Sequence, residues 1–374
     1  MQQGAPTPLR PAVRVDYEEL CVFVARVFAG RGVPAGRARA AAEALCYGDL
    51  TGLRSHGLVN LTRLYLPLFD QARVDPRAEP QVIADRGAAV LLDARRALGL
   101  WAASEAMDMA VERAAGYGIG MISVRDATHL GCAGHHAARA VQRDMVGIVA
   151  SNRDRQRIAR PPGGRVAMLG ANPLSIAVPA GGHHPFVLDM STTAAPTGRI
   201  RAAARAGQRV PEGWLADDQG NPVTDPAASG DAHLLWLGGS GSSASKGFGL
   251  GLLVEVLAAL VPGAGLGPAP EALAGDGGPS GRDDDIGVLV VAIAPSALRS
   301  GEDFRHDAQT LFGTLLACPP VGDGAPVRYP GWHEAERARA HRRDGVPLAS
   351  PLYQELSDVA SAMALPMPPP IAGT

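Results

Sequence analysis

The sequence predicts an α/β protein, a β-sheet flanked by helices, and three observations predict it. Residues 119–151 read as strand, loop, helix and strand, with apolar runs at 119–124 and Val146–Ser151 on either side of a helical stretch over 131–143. Three further short apolar runs, Leu174–Val178, Phe186–Met190 and Ile286–Ile293, have the length and composition of strands. The first 70 residues instead place their apolar side chains at helical period.

Taken in order, residues 1–13 carry three prolines and no apolar period, so a loose tail is expected. Asp16 opens a helix with capping-box spacing to Glu19, and Leu20, Phe23, Val24 and Val27 form its apolar face. Gly30 and Gly32 end that helix. Pro34 suits the first turn of a second, alanine-rich helix reaching Cys46. A glycine-bearing junction, residues 49–57, leads to a third helix over 58–69. Short strands are expected at Val82–Ile83 and 89–92, and a helix over 101–115. Residues 198–231 combine a short helix with turn-rich sequence, and 238–245 read as a flexible glycine–serine loop. A strongly apolar helix opens at Lys246 and ends near Pro262, and the Gly-, Pro- and Asp-rich residues 263–285 read as a surface excursion. Helices over 302–316, 334–343 and 353–362 complete the chain. The expected organisation is a tail (1–13), a helical domain (14–122, completed by 286–374) and a cofactor-binding domain (123–285).

Composition narrows the function. In 374 residues, 46% hydrophobic and 19% charged, there is material for two or three domains' worth of core. A net charge of −2 predicts no attraction to nucleic acid or anionic membranes. Four dispersed cysteines form no C-x-x-C pair, residues 1–11 lack the apolar core of a secretory signal, and no apolar run is long enough to span a membrane. The expectation is a cytoplasmic protein with no bound metal. The acidic run Asp283-Asp284-Asp285 reads as a solvated face rather than a metal site.

Histidine is the side chain suited to moving a proton near neutral pH, and ten are present. His135 and His136 lie inside a predicted helix, His183 and His184 in a turn, and His306, His333 and His341 in charged helices, where packing or exposure accounts for them. His56 and His129 each stand at a glycine-flanked boundary between elements, from which a side chain projects toward a cleft. His129 lies at the N-terminal mouth of a helix, a place that attracts anions. Asp189 ends an apolar strand and reads either as a structural cap or as a carboxylate that charges a histidine. Lys246, at a helix start after a Gly/Ser loop, suits a phosphate or carboxylate; that loop lacks the Gly-Lys-Ser/Thr ending of a P-loop. No G-x-G-x-x-G follows a strand, so the ordinary dinucleotide fingerprint is missing.

Seven segments in fixed order carry a resemblance. They are Gly48-Asp49-Leu50-Thr51-Gly52-Leu53-Arg54-Ser55-His56-Gly57, Thr128-His129-Leu130-Gly131-Cys132-Ala133-Gly134 and Gly170-Ala171-Asn172-Pro173-Leu174. Then follow Leu188-Asp189-Met190, Pro211-Glu212-Gly213-Trp214, Gly220-Asn221-Pro222-Val223-Thr224-Asp225-Pro226 and Lys246-Gly247-Phe248-Gly249-Leu250. From about residue 15 to 364 the chain resembles the type 2 malate/L-lactate dehydrogenase family, which includes ureidoglycolate, sulfolactate and diketogulonate oxidoreductases and a cyclic-imine reductase. The resemblance implies a large mixed β-sheet in a non-Rossmann fold of the L-sulfolactate dehydrogenase-like type. It also implies a homodimer, a small-molecule substrate, and NAD or NADP as cofactor, in agreement with the missing fingerprint. It makes His56 and His129 the two candidates for the acid/base, His56 being favoured, with Asp189 as aid to the catalytic histidine. His129, Asn152, Asp189, Met190, Ser191, Ser245, Lys246 and Gly247 match positions that line the dinucleotide.

Three positions depart from the family's pattern. Asn60 stands where the family carries an arginine four residues after the histidine, and an amide cannot form that bidentate carboxylate pair. Arg63 lies on a neighbouring face. The loop after Asn152 carries Arg153, Arg155, Arg157 and Arg160, read either as a solvated basic surface or as a holder of an anionic group. Arg199 replaces a lysine. The expected reaction is hydride transfer to or from a 2-oxo or 2-hydroxy acid other than simple malate or lactate. Reduction of a C=N bond, and a dinucleotide-binding protein with lost or changed redox activity, are the alternatives.

Overall fold

The computed structural model describes residues 12–227, 232–275, 278–322 and 324–371. Contacts divide the chain into a smaller unit, residues 12–77 with 332–371, and a larger one, 78–331. The expected joints at 122/123 and 285/286 thus lie elsewhere. The reason is the strand at Ile286–Ile293, which pairs with chain on both sides inside the large sheet and cannot leave it.

In the smaller unit, strand β1 (Ala12–Val15) takes up the last residues of the expected tail, whose residues 1–11 lie outside the described residues. Helix α1 (Tyr17–Gly30) starts as the capping box predicts, the Asp16 carboxylate accepting the Glu19 N–H at 3.0 Å. Its buried face holds Leu20, Phe23, Val24 and Val27, with Tyr17, Cys21 and Phe28 added. Helix α2 (Ala35–Thr51) ends at Gly52, whose φ of 85° is the left-handed conformation glycine adopts freely. The expected third helix is broken into pieces: a 3₁₀ turn (Arg54–His56), a π-helical turn (Leu61–Tyr65) and a short helix α3 (Leu66–Asp70) with Pro67 near its start.

The larger unit is built on a seven-stranded sheet in the order β2-β3-β4-β11-β5-β6-β7. Its strands are β2 (Gln81–Asp85), β3 (Ala89–Ala97), β4 (Ile119–Ala127), β5 (Val146–Ser151), β6 (Leu174–Val178), β7 (Phe186–Met190) and β11 (Ile286–Ile293). Only β3 and β4 run parallel, so the sheet is mixed, as expected. Four strands have the bounds read from sequence, because a short, mainly apolar run bounded by turn residues marks a strand. Helices α4 (Gly99–Tyr117) and α5 (Ala133–Val141) follow β3 and β4. Helix α6 (Thr197–Arg205) precedes a small three-stranded sheet of β8 (Leu215–Ala216), β9 (Pro222–Val223) and β10 (His233–Leu234). Helix α7 (Ala244–Glu255) runs on into a π-helical turn (Val256–Leu260), and α8 (Gly301–Leu316) follows β11.

Residues 263–285 are not a mere surface excursion. A methyl group on Gly265 would overlap the Asp154 carboxylate, and one on Gly267 would meet the Met168 carbonyl at 2.5 Å. These glycines permit close approach rather than freedom. The chain then returns to the smaller unit through α9 (Trp332–Asp344), β12 (Val346–Ala349), which pairs antiparallel with β1, and α10 (Ser350–Ala362).

Candidate active site

His56 ends the 3₁₀ turn after α2, and its position is fixed from both sides. Its N–H donates to the Leu53 carbonyl at 2.9 Å, and the next N–H, of Gly57, donates to Arg54 at 3.2 Å. One residue on, the Leu58 N–H donates to the Asp49 carboxylate at 2.6 Å. The Ser55 hydroxyl lies 3.0 Å from His56 Nδ1. Donation from that hydroxyl leaves the ring proton on Nε2, the tautomer suited to giving a proton outward. The half-buried imidazole is thus carried by a turn with little freedom.

The other expected residues of this unit are engaged locally. Asn60 Nδ2 donates to the Ser55 carbonyl at 2.9 Å, tying down the turn that bears His56. Arg63 pairs loosely with Glu355 at 3.6 Å, both about half exposed.

In the larger unit the candidates gather around the ends of α5, α7 and β7. His129 Nδ1 accepts the Gly131 N–H at 3.2 Å, which leaves its ring proton on Nε2. Asp189, at the end of β7, accepts the Gly134 N–H in the first turn of α5 at 2.7 Å. The cap reading of Asp189 is therefore realised, and it joins β7 to the helix that follows His129. Beyond Met190, the Ser191 hydroxyl donates to the Thr193 carbonyl, and the Thr192 carbonyl accepts the Leu237 N–H at 3.0 Å. Gly247 seats α7 against Leu237 so closely that a methyl group there would overlap the Leu237 carbonyl. The Asp189-Met190-Ser191 segment and the Ser245-Lys246-Gly247 start of α7 are in this way brought to one neighbourhood. Lys246 lies in the first turn of α7 rather than opening it, is exposed, and has no acidic partner among the described residues. It is also the only lysine among 35 basic residues. An unpaired ammonium at the N-terminus of a twelve-residue helix fits an anionic group such as a dinucleotide's phosphates.

Asn152 is placed differently from the expectation. It is 0% exposed and spends its whole amide inside the protein. Its Nδ2 donates to the Gly265 carbonyl at 2.7 Å and to Glu255 at 3.3 Å, and its Oδ1 accepts the Gly287 N–H at 2.9 Å. Glu255 also accepts from Asn172 at 2.8 Å and from the Gly267 N–H at 2.7 Å, while burial pushes its pKa up. Asn152 thus braces the end of β5 from within.

The arginines of the loop are met by acidic and carbonyl groups of the protein itself, with Arg155 exposed and the others largely buried. Arg153 pairs with Asp283 at 2.7 Å, both side chains largely buried, and also holds Gln156. Arg155 reaches Glu271 at 3.4 Å, Arg157 donates to the Gly267 carbonyl at 2.6 Å, and Arg160 pairs with Asp218. The acidic run is equally internal: Asp285 accepts the Asp126 N–H at 2.7 Å, and Asp154 accepts the N–H groups of Asp284 and Asp285 at 3.0 and 3.1 Å. Among the described residues no cluster of His, Cys, Asp or Glu has metal-binding geometry.

Two further buried residues complete the picture. Asp49 is buried beside the His56 turn, and burial raises its pKa to about 6. His136 on α5 is fully buried, with Nδ1 2.9 Å from the Ser104 hydroxyl and Nε2 2.8 Å from the Leu130 carbonyl. The glycines at 48 and 57 were the available signal for Asp49; nothing local marked His136.

Comparison with known proteins agrees with this arrangement. A family model described as malate/L-lactate dehydrogenase matches residues 15–357. An L-sulfolactate dehydrogenase of Methanocaldococcus jannaschii is 31% identical over 334 residues, covering 89% of this chain and 92% of that protein. The crystal structure of malate dehydrogenase from Entamoeba histolytica superposes with a TM-score of 0.87 at 27% identity, covering 96% of this chain and 99% of the other. A delta1-piperideine-2-carboxylate reductase from Pseudomonas syringae shares the fold at a TM-score of 0.78 and 24% identity, covering 93% and 99%. The chain therefore belongs to the malate/L-lactate dehydrogenase family, a family of nicotinamide-dependent oxidoreductases.

Proposed function

We propose that this protein moves a hydride between nicotinamide and C2 of a 2-oxo or 2-hydroxy acid, with His56 as proton donor and acceptor. The observation that carries the reading is His56 itself, held on a rigid turn with its Nδ1 3.0 Å from the Ser55 hydroxyl. His129, Met190, Ser191, Ser245, Lys246 and Gly247 are the residues that would hold the dinucleotide, the Lys246 ammonium and the α5 N-terminus supplying positive charge. Asp189 keeps α5 in place at that site through Gly134. The cofactor, when bound, supplies the hydride chemistry. The protein's part is to hold the acceptor carbon, exclude water, and give the His56 proton to the developing oxyanion. In the reverse direction neutral His56 takes that proton back.

Asn60 argues against malate and lactate, since its amide is spent on Ser55 and offers no bidentate grip for a carboxylate. The same neutral position leaves room for a second reading, reduction of a C=N bond, in which His56 protonates nitrogen instead of oxygen. Residues 123–285, which include the six residues assigned to the dinucleotide, are on this reading the cofactor-binding part of the larger unit.

An exposed apolar stripe on α7 and the turn after it, Leu252, Leu253, Val256 and Leu260, supports a homodimer. Among the described residues no helix is long and apolar enough to cross a membrane, and Cys21 and Cys46 lie in hydrogen-bond contact as free thiols, which supports a cytoplasmic place, checked by cell fractionation.

The test is a fluorescence titration with NADH and NADPH, followed by a panel of 2-oxo acids and cyclic imines. Binding of one or both cofactors and turnover of a panel member are expected; no optical change with either cofactor at high micromolar concentration overturns both readings. His56→Ala should lower kcat by about 10² to 10⁴ while sparing cofactor affinity. Unchanged turnover moves the acid/base role to another residue.

A further inference from the structure

We propose that Asp49 is a positioning residue for His56, latching the turn that carries the imidazole through Gly57 and Leu58 and loosening it on protonation. The inference rests on the reading of His56 as the proton donor.

Three observations point the same way. The Asp49 carboxylate is 2% exposed and accepts the Leu58 N–H at 2.6 Å, two residues beyond His56. A methyl group on Gly57 would overlap that carboxylate, and one on Gly48 would meet the Gly57 nitrogen at 2.6 Å and its Cα at 2.7 Å. Helix α2 and the residues after His56 therefore touch backbone to backbone, and glycine at both positions is what lets the carboxylate reach. His56 lies between this latch and its own hydrogen bond to Leu53.

A buried carboxylate with no ion-pair partner among the described residues is a costly way to hold a turn. The charged and titratable neighbours are few. Cys46 lies on the same helix and Arg54 on the turn, the latter drawing the Asp49 pKa down. From α1, Tyr17 and Cys21 lie against each other and against Cys46, with Arg342 beside Tyr17 and Arg39 and Glu18 beside Cys21. From α9, His341 touches the Leu50 carbonyl at 2.8 Å and Arg337 lies against Gly52. Strand β12 presents no titratable side chain. Burial outweighs the Leu58 hydrogen bond and Arg54, and lifts the carboxyl to about 6. Above that pH the latch is a charge-assisted hydrogen bond; below it, a neutral and weaker one. His56 would thus be held best at the pH where Asp49 is ionised.

Histidine-selective NMR of the full chain tests this, with the His56 ring signal assigned by His56→Asn. In the wild type that signal is expected to show two inflections with pH, its own and a second near 6. In Asp49→Asn, which keeps an acceptor for Leu58 but cannot ionise, the second inflection disappears, kcat at pH 7.5 falls at least tenfold, and the dissociation constant for NADH or NADPH stays within twofold. A His56 signal whose course with pH is the same in both proteins overturns the proposal, whatever happens to stability. If Asp49→Asn does not fold, the wild-type Leu58 amide proton decides instead: a shift that follows the second His56 inflection supports the latch, and a flat course from pH 5 to 7.5 overturns it. Full turnover in His56→Ala would remove the catalytic reading but leave this measurement to be decided on its own.

Discussion

Acid should loosen the larger unit through His136, and the size of the effect follows from its surroundings. The ring is fully buried in α5, its Nε2 proton given to the Leu130 carbonyl and its Nδ1 lone pair facing the Ser104 hydroxyl. Burial holds its pKa down at about 4, Arg139 adds to the depression, and the Leu130 carbonyl and Asp108 act against it. The unfolded chain binds the proton near the ordinary value of 6.5, so it takes up charge first as the pH falls. The stability associated with neutral His136 is complete above pH 6.5 and lost progressively as the pH drops towards 4. With about 1.36 kcal/mol for each pH unit between the two values, the full loss is about 3 kcal/mol, of which about 2 kcal/mol is gone by pH 5. Neighbouring His135 is shifted in the same direction by burial and by His136, so the wild type should lose more than this one residue accounts for. His136→Gln keeps a donor for Leu130 and cannot titrate. Urea unfolding of both proteins at pH 7.5 and pH 5 should show the variant losing about 2 kcal/mol less than the wild type. Equal losses would refute the reasoning and place the acid-sensitive group elsewhere. The loop at stake includes His129, next to Leu130, so the same variant tests whether the α5 mouth depends on this anchor.

Two other expectations are direct. Because Lys246 is the only lysine, an amine-directed acylating reagent should modify that side chain and the α-amine alone, and saturating NADH or NADPH should protect the Lys246-containing peptide in mass spectrometry; modification at the same rate with and without dinucleotide would remove Lys246 from the cofactor site. The double variant Leu253→Glu, Leu260→Glu should sediment as a monomer where the wild type sediments as a dimer, and a wild type that is itself monomeric at micromolar concentration would discard the α7 face as an interface.

How much of this was legible depends on where each residue's partner lies in the chain. The strands at 146–151, 174–178, 186–190 and 286–293 could be read from sequence because each is a short, mainly apolar run between turn residues. β1 and β12 could not: each is four residues long, and they find each other across more than 300 residues. The junction that carries His56 was legible because glycines at a helix boundary have a local meaning, and the burial of Asp49 was not, because it depends on Gly57 coming up against it. The arginine loop shows the same limit more sharply. Four arginines close together read as a charged surface until Asp283, Glu271, the Gly267 carbonyl and Asp218 are seen to meet them, the first of these 130 positions away. The partners of Arg153, Arg155 and Arg157 lie in the Gly-, Pro- and Asp-rich stretch that composition alone assigns to solvent. Glycine next to aspartate describes a mobile turn and a tightly packed crossing equally well, and what separates them is whether a distant backbone occupies the space a side chain would need. At Gly265 the Asp154 carboxylate occupies it. The basic loop and the Gly-, Pro- and Asp-rich stretch therefore meet each other, which leaves Lys246, without an acidic partner among the described residues and in the first turn of its helix, as the better-founded place to look for the cofactor's negative charge.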